Sequence, residues 1–150
     1  VTDDLVLRRQ VCFALYTASR AMADVYRPIL GEFGVTYPQY LVLLVLWEGE
    51  QEQPPTVSGL GARLRLDSGT LSPLLKRLEA AGLVVRRRSP ADERRVAVEL
   101  TPAGRALRGR MVDVPRQLAQ ATGLSADDLV VLRDTLTRIT RTIHQHKEQQ

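Results

Sequence analysis

The feature that most constrains this chain is a change of hydrophobic period between Thr56 and Thr101. Two short helical stretches, Val57 to Leu66 and about Gly69 to Ala81, are separated by the polar break Asp67-Ser68-Gly69, which is helix-turn-helix spacing. In the second, Leu71, Leu74, Leu75 and Leu78 recur at i, i+3, i+4 and i+7 and predict an inward face, with Ser72, Pro73, Lys76 and Arg77 opposite. After Gly82 the period falls to two. Val84-Val85 leads into Arg86-Arg87-Arg88, a Ser89-Pro90-Ala91-Asp92 turn follows, and Val96, Val98 and Leu100 then alternate with polar positions. A hairpin directly after a helix-turn-helix is a wing. The expected fold class is therefore mainly α with a small β-hairpin (α+β): a winged helix-turn-helix with N- and C-terminal dimerisation helices.

The remainder reads as helices that carry this head. A first helix is expected from about Asp3 to Leu30, with oxygens and negative charge from Thr2, Asp3 and Asp4 at its start and Gly31 and Gly34 at its end. Thr36 opens a second as a capping box, because Gln39 falls at N3 while Tyr37 and Pro38 fill the first turn. Tyr40 to Trp47 is almost wholly apolar, so that helix should be buried on most sides, and Glu48 to Pro55 reads as an acidic, proline-closed loop. Thr101-Pro102 restarts helix, expected to run to about Thr122 with a kink at Pro115 and to stop at Gly123. The last helix begins at Ser125, where Leu124 and Leu129 can form a staple across the cap. Along it Leu129, Leu132, Leu136, Ile139 and Ile143 recur in steps of three and four. That pattern suits packing along a helix of a second subunit or against a core of the same chain. The expected organisation is one domain over 1–150, with 56–101 as the nucleic-acid head and 1–55 and 102–150 mainly for dimerisation and sensing.

Charge is concentrated in that head. Residues 56–95 carry nine basic and four acidic side chains, +5 against +4 for the whole chain, so the remainder sums to −1. This is the footprint of a polyanion partner. A single cysteine, Cys12, excludes an internal disulfide and a cysteine-cluster zinc site, and His144 and His146 at i, i+2 point to different helix faces. No metal or cofactor is expected. Nor is an enzyme, since P-loop, Rossmann and nucleophile-elbow patterns are missing. The longest apolar run, Leu41 to Trp47, has seven residues where a bilayer needs roughly 20, and no secretory signal precedes the first helix, so a cytoplasmic location without a membrane partner is expected.

A recognition helix reads base edges with its N-terminal residues and holds phosphates with cations further along. Ser68, Thr70 and Ser72, then Lys76 and Arg77, follow that order, and Pro73 presents a compact apolar surface suited to a thymine methyl. Arg86, Arg88, Arg94 and Arg95 on a hairpin suit a narrow minor groove. Asp92 among arginines either holds Arg94 in a fixed conformation or is a plain turn former. The expected partner is double-stranded DNA, a pseudo-palindromic operator read by a homodimer. The bland reading is that the serines are helix caps and the arginines a solvated charge run.

Leu66-Asp67-Ser68-Gly69-Thr70-Leu71, Leu78-Glu79-Ala80-Ala81-Gly82-Leu83-Val84 and Asp92-Glu93-Arg94-Arg95 before Leu100-Thr101 resemble the multiple antibiotic resistance regulator (MarR) family. Within it, Cys12-Phe13-Ala14-Leu15-Tyr16 and Tyr26-Arg27-Pro28 through Thr36-Tyr37-Pro38-Gln39-Tyr40 are similar to the organic hydroperoxide resistance regulators (OhrR). The resemblance implies an obligate dimer that represses a peroxide-detoxification gene until an organic hydroperoxide oxidises Cys12. It also implies that Tyr26 and Tyr37 hydrogen-bond the thiol across the dimer. With no second cysteine, the one-cysteine route is implied: the sulfenic acid reacts with a low-molecular-weight thiol, cyclises to a sulfenamide or overoxidises.

Chemistry alone leaves Cys12 open, because most free cysteines are small buried hydrophobes. A sensor must stabilise its thiolate. With the first helix starting near Asp3, Cys12 lies more than two turns in, too far for the dipole to help, and phenols remain as donors: Tyr16 at i+4 and Tyr37 in the next helix. Trp47 is taken as core. Three readings follow: a thiol-switched repressor, a repressor released by a small phenolic ligand with Cys12 structural, and, weakest, a thiol peroxidase, which would leave the arginine-rich wing without purpose.

Overall fold

A computed structural model describes residues 4–49 and 53–149. Among these residues are seven helices and one hairpin: α1 (Val11–Gly31), α2 (Tyr37–Glu48), α3 (Val57–Leu64), α4 (Ser68–Ala80), β1 (Val84–Arg88), β2 (Val96–Leu100), α5 (Pro102–Arg110), α6 (Val114–Ala121) and α7 (Ala126–Glu148). The strands are antiparallel. The fold class thus agrees with the sequence reading, as does the element order up to the start of α5, and the chain divides after Val114 into two compact units.

The first unit is built around α2. Its capping box forms as expected: Gln39 donates its N–H to Thr36 Oγ1 at 3.4 Å, and Thr36 donates its N–H to Gln39 Oε1 at 2.9 Å. Tyr40, Val42, Leu43, Val45, Leu46 and Trp47 are all buried. Leu60 of α3, the α4 stripe Leu71, Leu74, Leu75 and Leu78, and Val84, Val98 and Leu107 complete the core. Each such side chain contributes about 1.5–3 kcal/mol of burial free energy.

Two ends differ from expectation for local reasons. The sequence reading ran α3 to Leu66. It stops at Leu64, because Arg65 takes the left-handed conformation (φ 54°, ψ 42°) and Leu66 then donates to the Gly61 carbonyl at 2.9 Å. A side chain at position 61 could not be accommodated, since its Cβ would stand 2.8 Å from the Leu66 carbonyl oxygen. The single kinked helix expected from Thr101 to about Thr122 is instead two, α5 and α6. Pro115 has no N–H to donate to Met111 four residues back and its ring clashes there, so the helix ends at Arg110 and restarts at Val114.

The largest correction concerns the N-terminus. The first helix does not begin near Asp3: a 3-10 turn at Leu7–Arg9 is followed by extended Gln10, and α1 starts at Val11. Arg8 and Arg9 would be unfavourable cations in a helix's first turns, and the Gln10 amide donates to the Asp4 and Val6 carbonyls. Thr2 and Asp3, assigned to the cap, and Glu50 to Glu52 of the expected acidic loop lie outside the described residues.

The hairpin pairs Val84 with Leu100, Arg86 with Val98 and Arg88 with Val96, and the Val98 N–H reaches the Pro55 carbonyl at 2.9 Å. Its base is tied to α5. Thr101 donates its N–H to the Leu83 carbonyl at 3.0 Å, and its hydroxyl caps α5 by accepting the Gly104 N–H at 3.1 Å. Buried Trp47 donates Nε1–H to the Gly104 carbonyl at 3.0 Å.

In the second unit Ser125 caps α7, accepting the Asp128 N–H at 3.2 Å. No α7 residue is buried: Leu129, Leu136 and Ile139 are half-buried, Leu132 and Ile143 exposed. No helix among the described residues is long and apolar enough to cross a membrane.

A Cβ at position 104 would lie 2.1 Å from the Leu83 carbonyl oxygen, and that atom is backbone. Gly104→Ala is therefore expected to destabilise the fold by about 3 kcal/mol or more. Urea unfolding followed by Trp47 fluorescence checks this. An unchanged midpoint would mean that the approach is not tight.

Candidate nucleic-acid interface and thiol site

Asp67 starts α4 by accepting the Thr70 N–H at 2.7 Å, which leaves Ser68 in its first turn. With the leucine stripe turned inward, Ser68, Thr70, Ser72, Pro73, Lys76 and Arg77 are exposed. Pro73 cannot donate to the Gly69 carbonyl, a cost confined to the N-terminal half of the helix. A cleft of about 540 Å³ joins this half of α4 to the hairpin, lined among others by Ser68, Ser72, Arg86, Arg94 and Arg95. The N-terminal half of α4 and three of the hairpin's arginines thus share one concave surface.

Within the hairpin the cations divide. Arg88 lies in β1 before the turn and is exposed. Arg86 Nε donates to Glu79 of α4 at 2.8 Å, and Arg87 Nε to Glu99 of β2 at 3.0 Å. Asp92 acts on backbone rather than on the Arg94 guanidinium: its Oδ1 accepts the Arg94 N–H at 3.0 Å, and its carbonyl accepts the Arg95 N–H at 3.0 Å. Of the two sequence readings of Asp92, the geometry is that of the turn former. Glu79 and Glu99 were not singled out in the sequence, although a glutamate seven residues before an arginine across a glycine turn was there to find.

Cys12 is exposed, in the first turn of α1. The expectation that its own helix cannot assist it fails with the shift of the helix start. The N-cap residue Gln10 makes no side-chain cap bond here, and the N–H groups of the first turn carry the positive pole of the helix, a setting that favours negative charge. Tyr16, one turn on, accepts from Arg20 Nη1 at 3.3 Å, and that guanidinium lies 5.4 Å from the ring centroid, so the bond does not use the phenol's own proton.

Tyr26 and Tyr37 are brought together, stacked at 4.3 Å between centroids with an interplanar angle of 22°. They flank a hollow of about 440 Å³ whose lining includes Leu30, Val35 and Thr36. Tyr40 follows 6.2 Å from Tyr37, and Trp47 meets it edge to face at 6.4 Å. Trp47 is core, as expected. Cys12 does not belong to this cluster within one chain, because it precedes Tyr26 by fourteen residues of one helix, about 21 Å along the axis.

A helix-turn-helix that shares a basic cleft with an arginine-bearing wing defines a winged-helix DNA-binding regulator. Residues 24–111 match the model of the transcriptional regulators SarA/Rot. The chain is 45% identical over 143 residues to the organic hydroperoxide resistance transcriptional regulator of Bacillus subtilis, covering 95% of each chain. Its fold is similar to that of reduced AbfR bound to DNA, the Staphylococcus epidermidis protein, with a TM-score of 0.75, 36% identity, and coverage of 91% of this chain and 94% of that one. Disulfide-formed AbfR gives 0.63 at 36% identity, covering 95% and 92%. The protein belongs to the MarR family of transcriptional regulators, within which its relatives are DNA-binding proteins rather than enzymes.

Burial pushes the Tyr37 phenol above its ordinary value, and the neighbouring Tyr26 adds to this; Tyr40 is raised by burial and then by Tyr37. Both remain protonated donors at neutral pH. Because the folded state holds these protons more tightly, the associated stability is complete below the ordinary phenol value of about 10 and is lost as pH rises through the raised values. Ultraviolet titration of tyrosinate should show Tyr37 ionising late in the parent. It should ionise earlier, yet still above the ordinary value, in Tyr26→Phe. A full return to the ordinary value would show that burial is not the larger cause.

Proposed function

We propose that this regulator is a thiol-switched repressor: a homodimer holds a pseudo-palindromic operator beside a peroxide-resistance gene and releases it when an organic hydroperoxide oxidises Cys12. The observation that carries the reading is the placement of one exposed cysteine in an uncapped first turn, on the same helix as half of a stacked phenol pair that it cannot reach in its own chain. A partner subunit removes the distance. The thiolate attacks the terminal peroxide oxygen, the O–O bond breaks, and the departing alkoxide takes a proton, leaving a sulfenic acid and an alcohol. Protonated phenols of the partner subunit's Tyr26 and Tyr37, with Tyr16, supply hydrogen bonds to the thiolate and to the leaving oxygen. A low-molecular-weight thiol then condenses with the sulfenic acid, giving a mixed disulfide and water.

On DNA, Ser68, Thr70 and Ser72 face base edges with Pro73 against a thymine methyl, Lys76 and Arg77 hold phosphates, and Arg88, Arg94 and Arg95 enter the minor groove. Such a protein acts in the cytoplasm, where its DNA is. The half-enclosed hollow at Tyr26 and Tyr37 also favours a second reading, in which a small phenolic ligand triggers release and Cys12 is structural.

Cys12→Ser distinguishes them. It should bind promoter DNA like the parent but stay bound when cumene hydroperoxide is added, as followed by fluorescence anisotropy. Release equal to the parent's would sink the redox reading and leave the ligand one. Lys76→Gln should weaken binding across sequences and lower the slope of log affinity against log salt by about 0.9, the release of one phosphate contact. An unchanged slope would remove Lys76 from the phosphate contacts.

A further inference from the structure

We propose that Arg86 is a positioning residue rather than a contact to DNA: with Glu79 it forms a strut that fixes the angle between the recognition helix α4 and the wing. The inference rests on the reading of α4 and the hairpin as one DNA-binding surface. It departs from the expectation that Arg86, with Arg88, Arg94 and Arg95, enters the minor groove.

Three observations and one electrostatic consideration lead here. First, Arg86 lies opposite Val98 near the base of the hairpin and shares its strand face with the buried Val84, Val98 and Leu100, whereas exposed Arg88 on the same face stands nearer the tip. Second, its Nε–Glu79 bond is 2.8 Å long and both side chains are shielded, 31% and 37% exposed, whereas Arg87 on the opposite face is 69% exposed in its pair with Glu99. Third, the pair spans the joint between the two elements. Only Ala81, Gly82 and Leu83 link α4 to β1, with Gly82 at φ +74°, the Gly82 N–H on the Glu79 carbonyl at 3.0 Å and the Leu83 N–H on the Leu78 carbonyl at 3.1 Å. Glu79 thus holds the joint from both its backbone and its carboxylate. Fourth, an acid at the C-terminal end of a helix that approaches phosphates is electrostatically costly, and neutralisation by Arg86 explains why it is tolerated.

Arg86 also lines the cleft with Ser72, Arg94 and Arg95, so a change in the strut moves the wing cations relative to the reading residues. Because the guanidinium is already neutralised, removing it should release no extra counterions from DNA.

The test uses the full-length protein and a fluorescein-labelled duplex from the region preceding its own gene, titrated at several salt concentrations. Glu79→Gln and Arg86→Gln should each weaken binding about threefold to tenfold with the parent's salt slope. The double variant should be no weaker than either, and the exchanged pair, E79R with R86E, should recover most of the loss. Thermal melts verify that each variant is folded, and amide exchange in Val85 to Arg88 without DNA should quicken equally in both single variants. The proposal is overturned if Glu79→Gln binds as tightly as the parent or tighter while Arg86→Gln lowers the salt slope by about 0.9, since Arg86 is then itself on a phosphate. Additive losses in the double variant overturn it too. The parent's own binding curve, measured alongside, tests the DNA reading separately.

Discussion

The approach of Gly104 to the Leu83 carbonyl is the contact on which the helix-turn-helix and its hairpin depend. That one oxygen accepts the Thr101 N–H at 3.0 Å, while the helix beginning at Pro102 passes so near that position 104 has no room for a side chain. The Gly104 carbonyl in turn takes the Trp47 indole at 3.0 Å. The end of α2, the entry to the wing and the start of α5 are therefore fastened within a few ångströms. Buried backbone groups are satisfied by each other, and the cost of an unpaired one makes the arrangement hard to loosen in part.

The sequence was legible where hydrophobic period or capping chemistry carried the signal. The α4 leucine stripe, the alternation of β2, the Thr36 box and the Ser125 cap all lie where the pattern placed them. It was illegible where a tertiary or backbone effect decided the outcome. Arg65 adopts a left-handed conformation that its side chain does not advertise, and the close approach at Gly61 explains why. Pro115 looked like a kink because proline permits either a bend or a restart, and only the buried Met111 and Val114 around the break favour two helices. The start of α1 was missed because the acidic residues before it resemble a cap, while Arg8 and Arg9 argue for a later start. Of the site itself, the place of the arginines on the hairpin was readable, Tyr26 entered only through the family resemblance, and Glu79 and Glu99 were not singled out although the spacing of Glu79 and Arg86 was there to find.

Charge in the wing has two uses that composition cannot separate. A net excess of cations draws a polyanion from a distance, but an arginine beside a glutamate adds little to that field. Arg86 and Arg87 are joined to Glu79 and Glu99; Arg86 lines the cleft from within that pair, beside Arg94, Arg95, Ser68 and Ser72. Acidic residues among the hairpin's cations are thus consistent with order: Glu79 and Glu99 give up some net positive charge and fix Arg86 and Arg87 in place. Asp92 does the same on a smaller scale through backbone N–H groups.

The span between Cys12 and Tyr26 also carries information about symmetry. If each sulfur is served by the other chain's phenols, residue 12 of one α1 lies beside residue 26 of the second and the reverse holds at the other end, which requires the two helices to run antiparallel. Positions facing one another then add to a constant, and the rotation axis passes beside Ser19, flanked by Ala18, where small side chains let two rods come close. Under that condition, one cysteine and one tyrosine on a single helix are enough to locate a dyad.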